Sequence, residues 1–431
     1  RWLHHRLRYP QRNAHRSGQM KMDVAPRAAD NHDCFSRTEK MKYGIAFCLL
    51  GGLASWTVQA SESELGADMQ GLLRYAREYN PELAATRHEV DAARQRIQSA
   101  AALPDPVLRA ELMDVTRQGA NSMVPSQAGS TRYTLIQSLP WFGRRDLQRG
   151  MSESKLLQSE KQAEATWVEM SSSIKSVFAQ RYFLLESEKL VRETINLIGD
   201  LEKVAKARYA SGLDAHRAVL AAQIEQTDLQ AELLDLQTER HHADAGLNRL
   251  LSRPTAATLA QPAHLRPLPA AEKMDYPVLA EKLKARNPQL AIDNARIDEA
   301  GKNRDLTFKS RYPDFSLGVA PTQTGGRISE WGLMIEMNIP LQQGARRSRE
   351  REAVATLAAS MAGKEALQNL LLGKLSESLA GLDAVRRTES LIASQLLPQT
   401  EIIYQSAVTG YESGKIDFSM LLDAQRQILK A

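Results

Sequence analysis

The chain contains few side chains whose types and spacing suit metal binding. The pair His241–His242 could offer imidazole ligands, and Met113 and Met123 could offer the thioether sulfur that copper(I) prefers. Neighbouring residues on a helix point about 100° apart, so the two imidazoles would not share one ion. A solvated helix face explains the histidines, and ordinary packing or exposure explains the methionines. We therefore predict no metal site at either place.

Catalytic motifs are not apparent either. The sequence shows no nucleophile motif, no phosphate-binding glycine loop and no pair of carboxylates placed for acid–base chemistry. Both cysteines, Cys34 and Cys48, lie in the first sixty residues, which we expect to be absent from the processed chain. A disulfide framework and a thiolate metal site are then excluded. The sequence predicts a protein that is not an enzyme and carries no cofactor.

Residues 41–60 have the pattern of a secretory signal. Met41-Lys42 opens a basic stretch, an apolar run begins at Ile45, and Val58-Gln59-Ala60 provides small residues for cleavage. The alternative is a single membrane anchor, but the apolar run is too short for one. Residues 1–40, rich in Arg and His without periodicity, are interpreted as an unstructured leader or an over-extended reading frame.

The positive charge of the chain belongs to this leader. The whole sequence contains 56 Lys/Arg and 51 Asp/Glu, whereas residues 61–431 contain 46 and 47. A nearly neutral processed chain lacks the basic surface that nucleic-acid binding requires, so we predict no nucleic-acid partner. Export without cysteine is typical of the bacterial periplasm or outer membrane.

Four motifs occur twice, in the same order, at offsets of 200 to 209 residues. This indicates a duplicated unit far longer than a solenoid repeat. We assign the first structural repeat to residues 61–253 and the second to residues 278–431, separated by a Pro/Ala-rich linker at 254–277. The motif pairs are Asn80-Pro81 with Asn287-Pro288, Pro104-Asp105 with Pro313-Asp314, Pro140 with Pro340, and Tyr209-Ala210-Ser211-Gly212 with Tyr411-Glu412-Ser413-Gly414.

Long intervals without proline predict very long helices. From Trp167 to Ile198, ten positions alternate in steps of three and four, and eight of them are apolar. This heptad spacing indicates helices packed along their length, and we predict a helix from about Arg144 to Ala207. A similar stripe runs from Leu371 to Leu396. The spacing leaves open whether the partner helices belong to this chain, and the core of an ordinary bundle is the alternative.

Two pairs of strands are predicted, Val107–Val115 with Arg132–Leu139 and Phe315–Ala320 with Trp331–Ile339, joined by loops at 118–129 and 322–326. Their alternating pattern gives the sheet one apolar face, and their length suits tilted strands that span a membrane. Four strands cannot close a barrel, and lipid does not tolerate an open edge, so several chains would have to pool their strands. The apolar face is formed by Tyr133, Leu135, Leu139, Trp331, Leu333, Ile335, Met337 and Ile339.

These features together resemble the TolC-type outer-membrane efflux factors over residues 65–431. The resemblance rests on the duplicated Asn-Pro motifs, the paired Tyr-x-Ser-Gly turns and the stretch Ser138-Leu139-Pro140-Trp141-Phe142-Gly143-Arg144-Arg145. It implies a mainly α fold class with a small β part, built from duplicated helix-strand-strand-helix-helix units. It also implies a homotrimer in the outer membrane of a Gram-negative cell. Its twelve strands would form one transmembrane β-barrel in lipid, and its coiled-coil helices an α-barrel through the periplasm.

The resemblance also implies partners. The tips at Gly212, Leu213, Gly414, Lys415 and Ile416 would contact a periplasmic adaptor, or membrane fusion protein, that works with an inner-membrane RND transporter. The alternative is that these glycines only form turns. The stretch Ala101–Pro106 and the stretch at residues 138–145 look most like the heavy-metal branch, the CzcC-like and CusC-like factors, which implies passive export of heavy-metal cations.

Two other functions remain open at this point. The channel could instead serve multidrug efflux or type I secretion, or the chain could be a soluble periplasmic coiled-coil scaffold. Two features depart from the family pattern. No cysteine suited to acylation is present, because bulky Phe47 precedes Cys48. The first copy's last helix, from about Leu213 to Leu251, predicts that the second copy continues to about residue 453, so we expect it to be C-terminally truncated at Ala431.

Overall fold

The computed structural model describes residues 65–113, 115, 128–267, 269–270 and 274–431. The predicted leader, the signal peptide, both cysteines, Met123 and most of the first loop lie outside the described residues. Within the described ranges, no helix is long and apolar enough to cross a membrane.

Each half contributes helices, two strands and a long helical hairpin, in the predicted order. The first half consists of α1 (Met69–Tyr79), α2 (Pro81–Ala101), β1 (Val107–Met113), β2 (Ser130–Leu139), α3 (Arg144–Ala210) and α4 (His216–Leu250). The second consists of α5 (Tyr276–Arg286), α6 (Pro288–Lys309), β3 (Phe315–Thr324), β4 (Arg327–Met337), α7 (Gln343–Leu391), α8 (Leu397–Glu412) and α9 (Phe418–Lys430).

The duplicated Asn-Pro motif starts the second helix of each half. The Asn80 side-chain oxygen accepts hydrogen bonds from the backbone N–H groups of Glu82 (2.8 Å) and Leu83 (3.3 Å). Asn287 caps α6 in the same way. The proline that follows each asparagine occupies the first helical position, where its missing N–H costs no hydrogen bond. The repeat in the sequence is therefore a repeat of helix starts.

The long helix predicted from Arg144 is confirmed as α3, which contains 67 residues and extends about 100 Å. Most positions of its apolar stripe are buried, and α4 folds back against it. The corresponding stripe is less covered: Val385 on α7 is 64% exposed, and Leu396, just beyond the end of α7, is 43% exposed. The stripe of α3 is thus covered by its hairpin partner α4. Within the described residues, no hairpin partner covers this part of α7 in the same way.

A π-helical turn, Ile392–Leu396, separates α7 from α8. The N–H of Leu397 donates to the carbonyl of Ile392, five residues earlier. Pro398 follows directly, and proline has no N–H to continue the regular ladder. Pro398 thus shifts the hydrogen-bond ladder by one residue without breaking the helix.

Two of the ten stripe positions on α3 are polar, and both belong to a buried ion network. Arg181, 3% exposed, pairs with Asp244 at 2.5 Å and donates to the carbonyls of Ala260 (2.8 Å) and Leu259 (3.1 Å). Glu188, about two turns further on, pairs with Arg240 at 2.5 Å. The network ties the linker after α4 to the middle of α3.

The strands of both halves form one antiparallel sheet in the order β1-β2-β3-β4. The boundaries differ from the prediction: β1 ends at Met113, β3 continues to Thr324, and β4 extends from Arg327 to Met337. The predicted loop at 322–326 is therefore mostly strand. Gly325 (φ 58°) and Gly326 (φ 82°) make a two-residue turn that needs positive φ at both positions, so the strands continue up to it.

Candidate functional site

The sheet presents one continuous apolar face. The register places Leu108, Leu135, Val319 and Leu333 side by side in one row across all four strands. Their exposed fractions are 69%, 53%, 43% and 87%. Side chains in such a row point to the same face of a sheet, so each strand contributes to a shared apolar surface.

The predicted face residues fall mostly on this surface. Trp331, Ile335 and Met337 are 71%, 76% and 48% exposed. Tyr133 and Leu139 lie on β2 and are half-buried, whereas Ile339, 67% exposed, lies beyond the end of β4. The prediction omitted Leu108, Leu317 and Val319. The alternation of the apolar residues Phe315, Leu317 and Val319 along β3 would have predicted that Leu317 and Val319 belong to this face.

The opposite face of the sheet is different in character. It holds small or uncharged buried residues near its centre and carboxylates on β4. The buried residues are Thr134, Ile136, Gly318, Ala320 and Thr322, and the exposed carboxylates are Glu330 and Glu336. A sheet with one apolar and one polar face suits a boundary between lipid and water.

A polar clamp joins the sheet to α3. The Asp314 carboxylate accepts a hydrogen bond from the backbone N–H of Trp141 (2.8 Å) and pairs with Arg144 at 2.5 Å. The Trp141 ring stacks on the Tyr312 ring with centroids 4.9 Å apart. Its centroid also lies 5.8 Å from that of the Phe315 ring. Because Phe315 pairs with Leu139 and Met337, this aromatic cluster continues the apolar face onto the helices.

The two tips have matching turns. Gly212 (φ 72°) and Gly414 (φ 70°) adopt the left-handed conformation that ends a helix. The N–H of Leu213 donates to the Arg208 carbonyl (2.9 Å), and the N–H of Lys415 donates to the Gly410 carbonyl (2.8 Å). Leu213 is 68% exposed, Lys415 is exposed and Ile416 is half-buried.

Side chains also join the two tips to each other. The Tyr411 hydroxyl donates to Asp214 at 2.8 Å, and the Arg208 guanidinium lies 4.9 Å over the Tyr411 ring. Arg208 also donates to the Glu412 carbonyl at 3.1 Å. Burial, followed by the hydrogen bond to Asp214, raises the pKa of Tyr411 above its usual value, so the hydroxyl stays protonated.

Two further ion pairs cross between the hairpins. Arg217 at the start of α4 pairs with Asp417, and the Nε of Arg426 on α9 donates to Glu225 at 2.9 Å. An apolar cluster from α3, α4, α8 and α9 lies beside these pairs. The structure therefore places the predicted tip residues of both halves at one end of the molecule, as one connected unit.

We expect Tyr411→Phe to destabilise this unit. The substitution keeps the ring but removes the donor to Asp214, leaving a carboxylate oxygen without that partner at a cost of about 1–3 kcal/mol. Denaturant unfolding of the purified protein measures the loss. Tyr404→Phe is the control, since Tyr404 is half-buried on the same helix, seven residues before Tyr411. Equal effects of the two substitutions would contradict the role of this hydrogen bond.

The side chains considered for metal binding do not assemble into a site. His241 and His242 are both exposed on α4, with ring centroids 6.4 Å apart. Met113 ends β1, and Met123 is outside the described residues. Over the part of the chain that the structure describes, no group of three His, Cys, Asp or Glu residues could hold a metal ion.

A family model described as outer membrane efflux protein matches residues 72–253 and 279–431. A similar curated protein is the cobalt-zinc-cadmium resistance protein CzcC of Cupriavidus metallidurans, 23% identical over 378 residues, which cover 84% of each chain.

Solved structures with the same fold include the outer-membrane channel OprN, with a TM-score of 0.72 and 21% identity over 84% of each chain. CusC, described in terms of its folding and transmembrane channel formation, gives a TM-score of 0.71 at 18% identity, covering 84% of this chain and 86% of that one. Identities this low establish the fold alone.

Proposed function

The chain belongs to the outer membrane efflux protein family, and we propose that it forms the outer-membrane channel of a tripartite pump that exports heavy-metal cations. The family consists of channels, so the prediction that the chain is not an enzyme is confirmed. The observation that carries the proposal is the apolar face shared by all four strands, attached to helical hairpins that end in connected tips.

Three copies would complete the channel. One chain supplies four strands, and β1 and β4 are the edges of its sheet. Exposed edges are tolerated poorly in lipid, whereas three such sheets joined edge to edge would give one closed barrel of twelve strands. The partly uncovered stripe on α7 supports association in the same way, because burying apolar helix surface stabilises a complex. The barrel would lie in the outer membrane, and the hairpins would extend through the periplasm.

The tips are the proposed contact with a periplasmic adaptor. Leu213 is exposed beside the left-handed turn at Gly212, and Lys415 is exposed beside the turn at Gly414. The connected tips would present both turns on one surface. An inner-membrane transporter would supply the energy, and the channel itself would be a passive duct.

The proposed cargo rests on similarity. A relative covering 84% of this chain is a cobalt-zinc-cadmium resistance protein, and the stretch Ala101–Pro106 and residues 138–145 carry the likeness to the heavy-metal branch. Cargo in such a duct would pass through without a built binding site.

Deletion of the gene tests this function. The deleted strain should grow less well than its parent on graded copper, silver, zinc, cobalt or cadmium, and a plasmid copy should restore growth. Unchanged metal tolerance with increased drug sensitivity would contradict the metal cargo and favour a multidrug channel. Recovery of the protein in the soluble fraction without detergent would contradict the channel and favour a periplasmic scaffold.

A further inference from the structure

An open groove of about 610 Å³ lies where the sheet meets α3. Its walls are apolar and continue the exposed face of the sheet, because Leu139, Phe315 and Leu317 belong to that face. The groove ends on the first turns of α3, where Arg145, Asp146 and Arg149 line it. The apolar wall residues are Leu103, Leu139, Trp141, Phe142, Phe315 and Leu317.

The aromatic wall is present in only one of the two repeats. Pro140 is followed by Trp141 and Phe142, whereas Pro340 is followed by Leu341 and Gln342. Phe142 is 81% exposed, and its backbone carbonyl accepts a hydrogen bond from Lys309 at 3.1 Å. The hydrogen bond holds the backbone of Phe142, while its exposed ring remains available to an apolar ligand.

The junction between the helices and the sheet is basic. The four segments where helices meet the sheet contain nine Lys/Arg and six Asp/Glu, although the processed chain as a whole is nearly neutral. Such clusters beside a membrane-inserted surface attract anionic lipid headgroups. The four segments are residues 98–106, 142–153, 307–314 and 340–352.

The two arginines in the groove keep hydrogen-bonding capacity. Arg145 donates to the Ala101 carbonyl through Nε and Nη2, which leaves Nη1. The Arg149 side chain is 60% exposed and pairs with Glu153 at 3.1 Å. An exposed pair of this kind contributes little stability and exchanges readily for a phosphate oxygen. Asp146 also lines the groove, so its three charged residues sum to one positive charge.

We propose that this groove binds one phospholipid with an anionic headgroup, taken from the leaflet that adjoins the helices. An acyl chain lies against Trp141 and Phe142, and the headgroup phosphate accepts hydrogen bonds from Arg145 and Arg149. The volume suits one segment of a lipid, and apolar walls with a few convergent polar groups are typical of ligand sites. The proposal rests on the membrane insertion proposed above, and the test separates the two.

Quenching of tryptophan by brominated lipids provides the test. The full chain is reconstituted in phosphatidylcholine vesicles as a variant in which every other tryptophan is replaced by Phe, leaving Trp141. Brominated phosphatidylglycerol or brominated phosphatidylcholine is added at the same small fraction. We expect phosphatidylglycerol to quench Trp141 at least twofold more. The ratio of quenching by phosphatidylglycerol to quenching by phosphatidylcholine should fall to about one in the double variant Arg145→Gln/Arg149→Gln and decrease in Arg149→Gln alone. Arg387→Gln, far from the groove on α7, should leave this ratio unchanged.

A second variant that keeps only Trp331 reports membrane insertion. If both lipids quench Trp331 and also quench Trp141 equally, the lipid site is overturned and the channel remains supported. Absence of Trp331 quenching would overturn the channel itself, and the lipid site with it. Loss of the selectivity in sodium phosphate but not in sodium chloride of equal ionic strength would identify a site for free phosphate and overturn the lipid assignment.

Discussion

Ile335→Arg is expected to remove the protein from the outer membrane. Ile335 is 76% exposed near the middle of the apolar run on β4 and pairs with Leu317 on the neighbouring strand. An arginine on the lipid face of a membrane barrel costs about 2–4 kcal/mol near the midplane. Three copies would raise this to about 6–12 kcal/mol per trimer, enough to prevent stable insertion.

Glu336→Arg is the matched control for this prediction. Glu336 is the next residue on the same strand, exposed, and points to the polar face. The amount of each variant that stays in the outer-membrane fraction after a urea wash is the measurement. Similar retention of both variants would show that the apolar face does not contact lipid.

Arg181→Ala is expected to cause the largest loss of stability in the helical part. The side chain is 3% exposed and joins Asp244 and the carbonyls of Leu259 and Ala260. Its removal takes the closest partner from the partly buried Asp244 carboxylate, which keeps only Arg240 at 3.4 Å, and leaves the two carbonyls without this donor. Breaking a buried ion pair from one side costs about 3–5 kcal/mol.

Arg192→Ala provides the comparison. Arg192 pairs with Glu188 in the same network at 3.0 Å, but its side chain is 55% exposed. Because Arg192 is more than half exposed and buried Glu188 keeps its closer partner Arg240 at 2.5 Å, we expect a loss of only about 1 kcal/mol. Denaturant unfolding of both variants, monitored by circular dichroism, should separate them by at least about 2 kcal/mol. A loss for Arg181→Ala no larger than that for Arg192→Ala would mean that the network does not hold the linker to α3.

Local patterns in the sequence were sufficient for much of the fold. Asn80 and Asn287 mark helix starts because a cap and the proline after it depend only on neighbouring residues. The stripe from Trp167 to Ile198 predicts α3 because its period is that of packed helices. The apolar face of β4 follows from strict alternation, which only an extended strand places on one side.

Contacts between distant residues could not be predicted in this way. Asp214 and Tyr411 lie 197 positions apart and meet only because both hairpins end at the same level. Arg181 and Glu188 are exceptions to an apolar stripe, and the stripe alone does not show that their partners lie on α4. The loop predicted at 322–326 was wrong because the turn at Gly325 needs only two residues.

Cryo-electron microscopy of the protein in lipid nanodiscs tests the central claim most directly. The expected result is three copies that join β4 of one chain to β1 of the next and close a single twelve-stranded barrel across the disc. The helical hairpins should project from one side, with all tips at the far end. A single copy with an open sheet, or particles bound only at the surface of the disc, would contradict the channel.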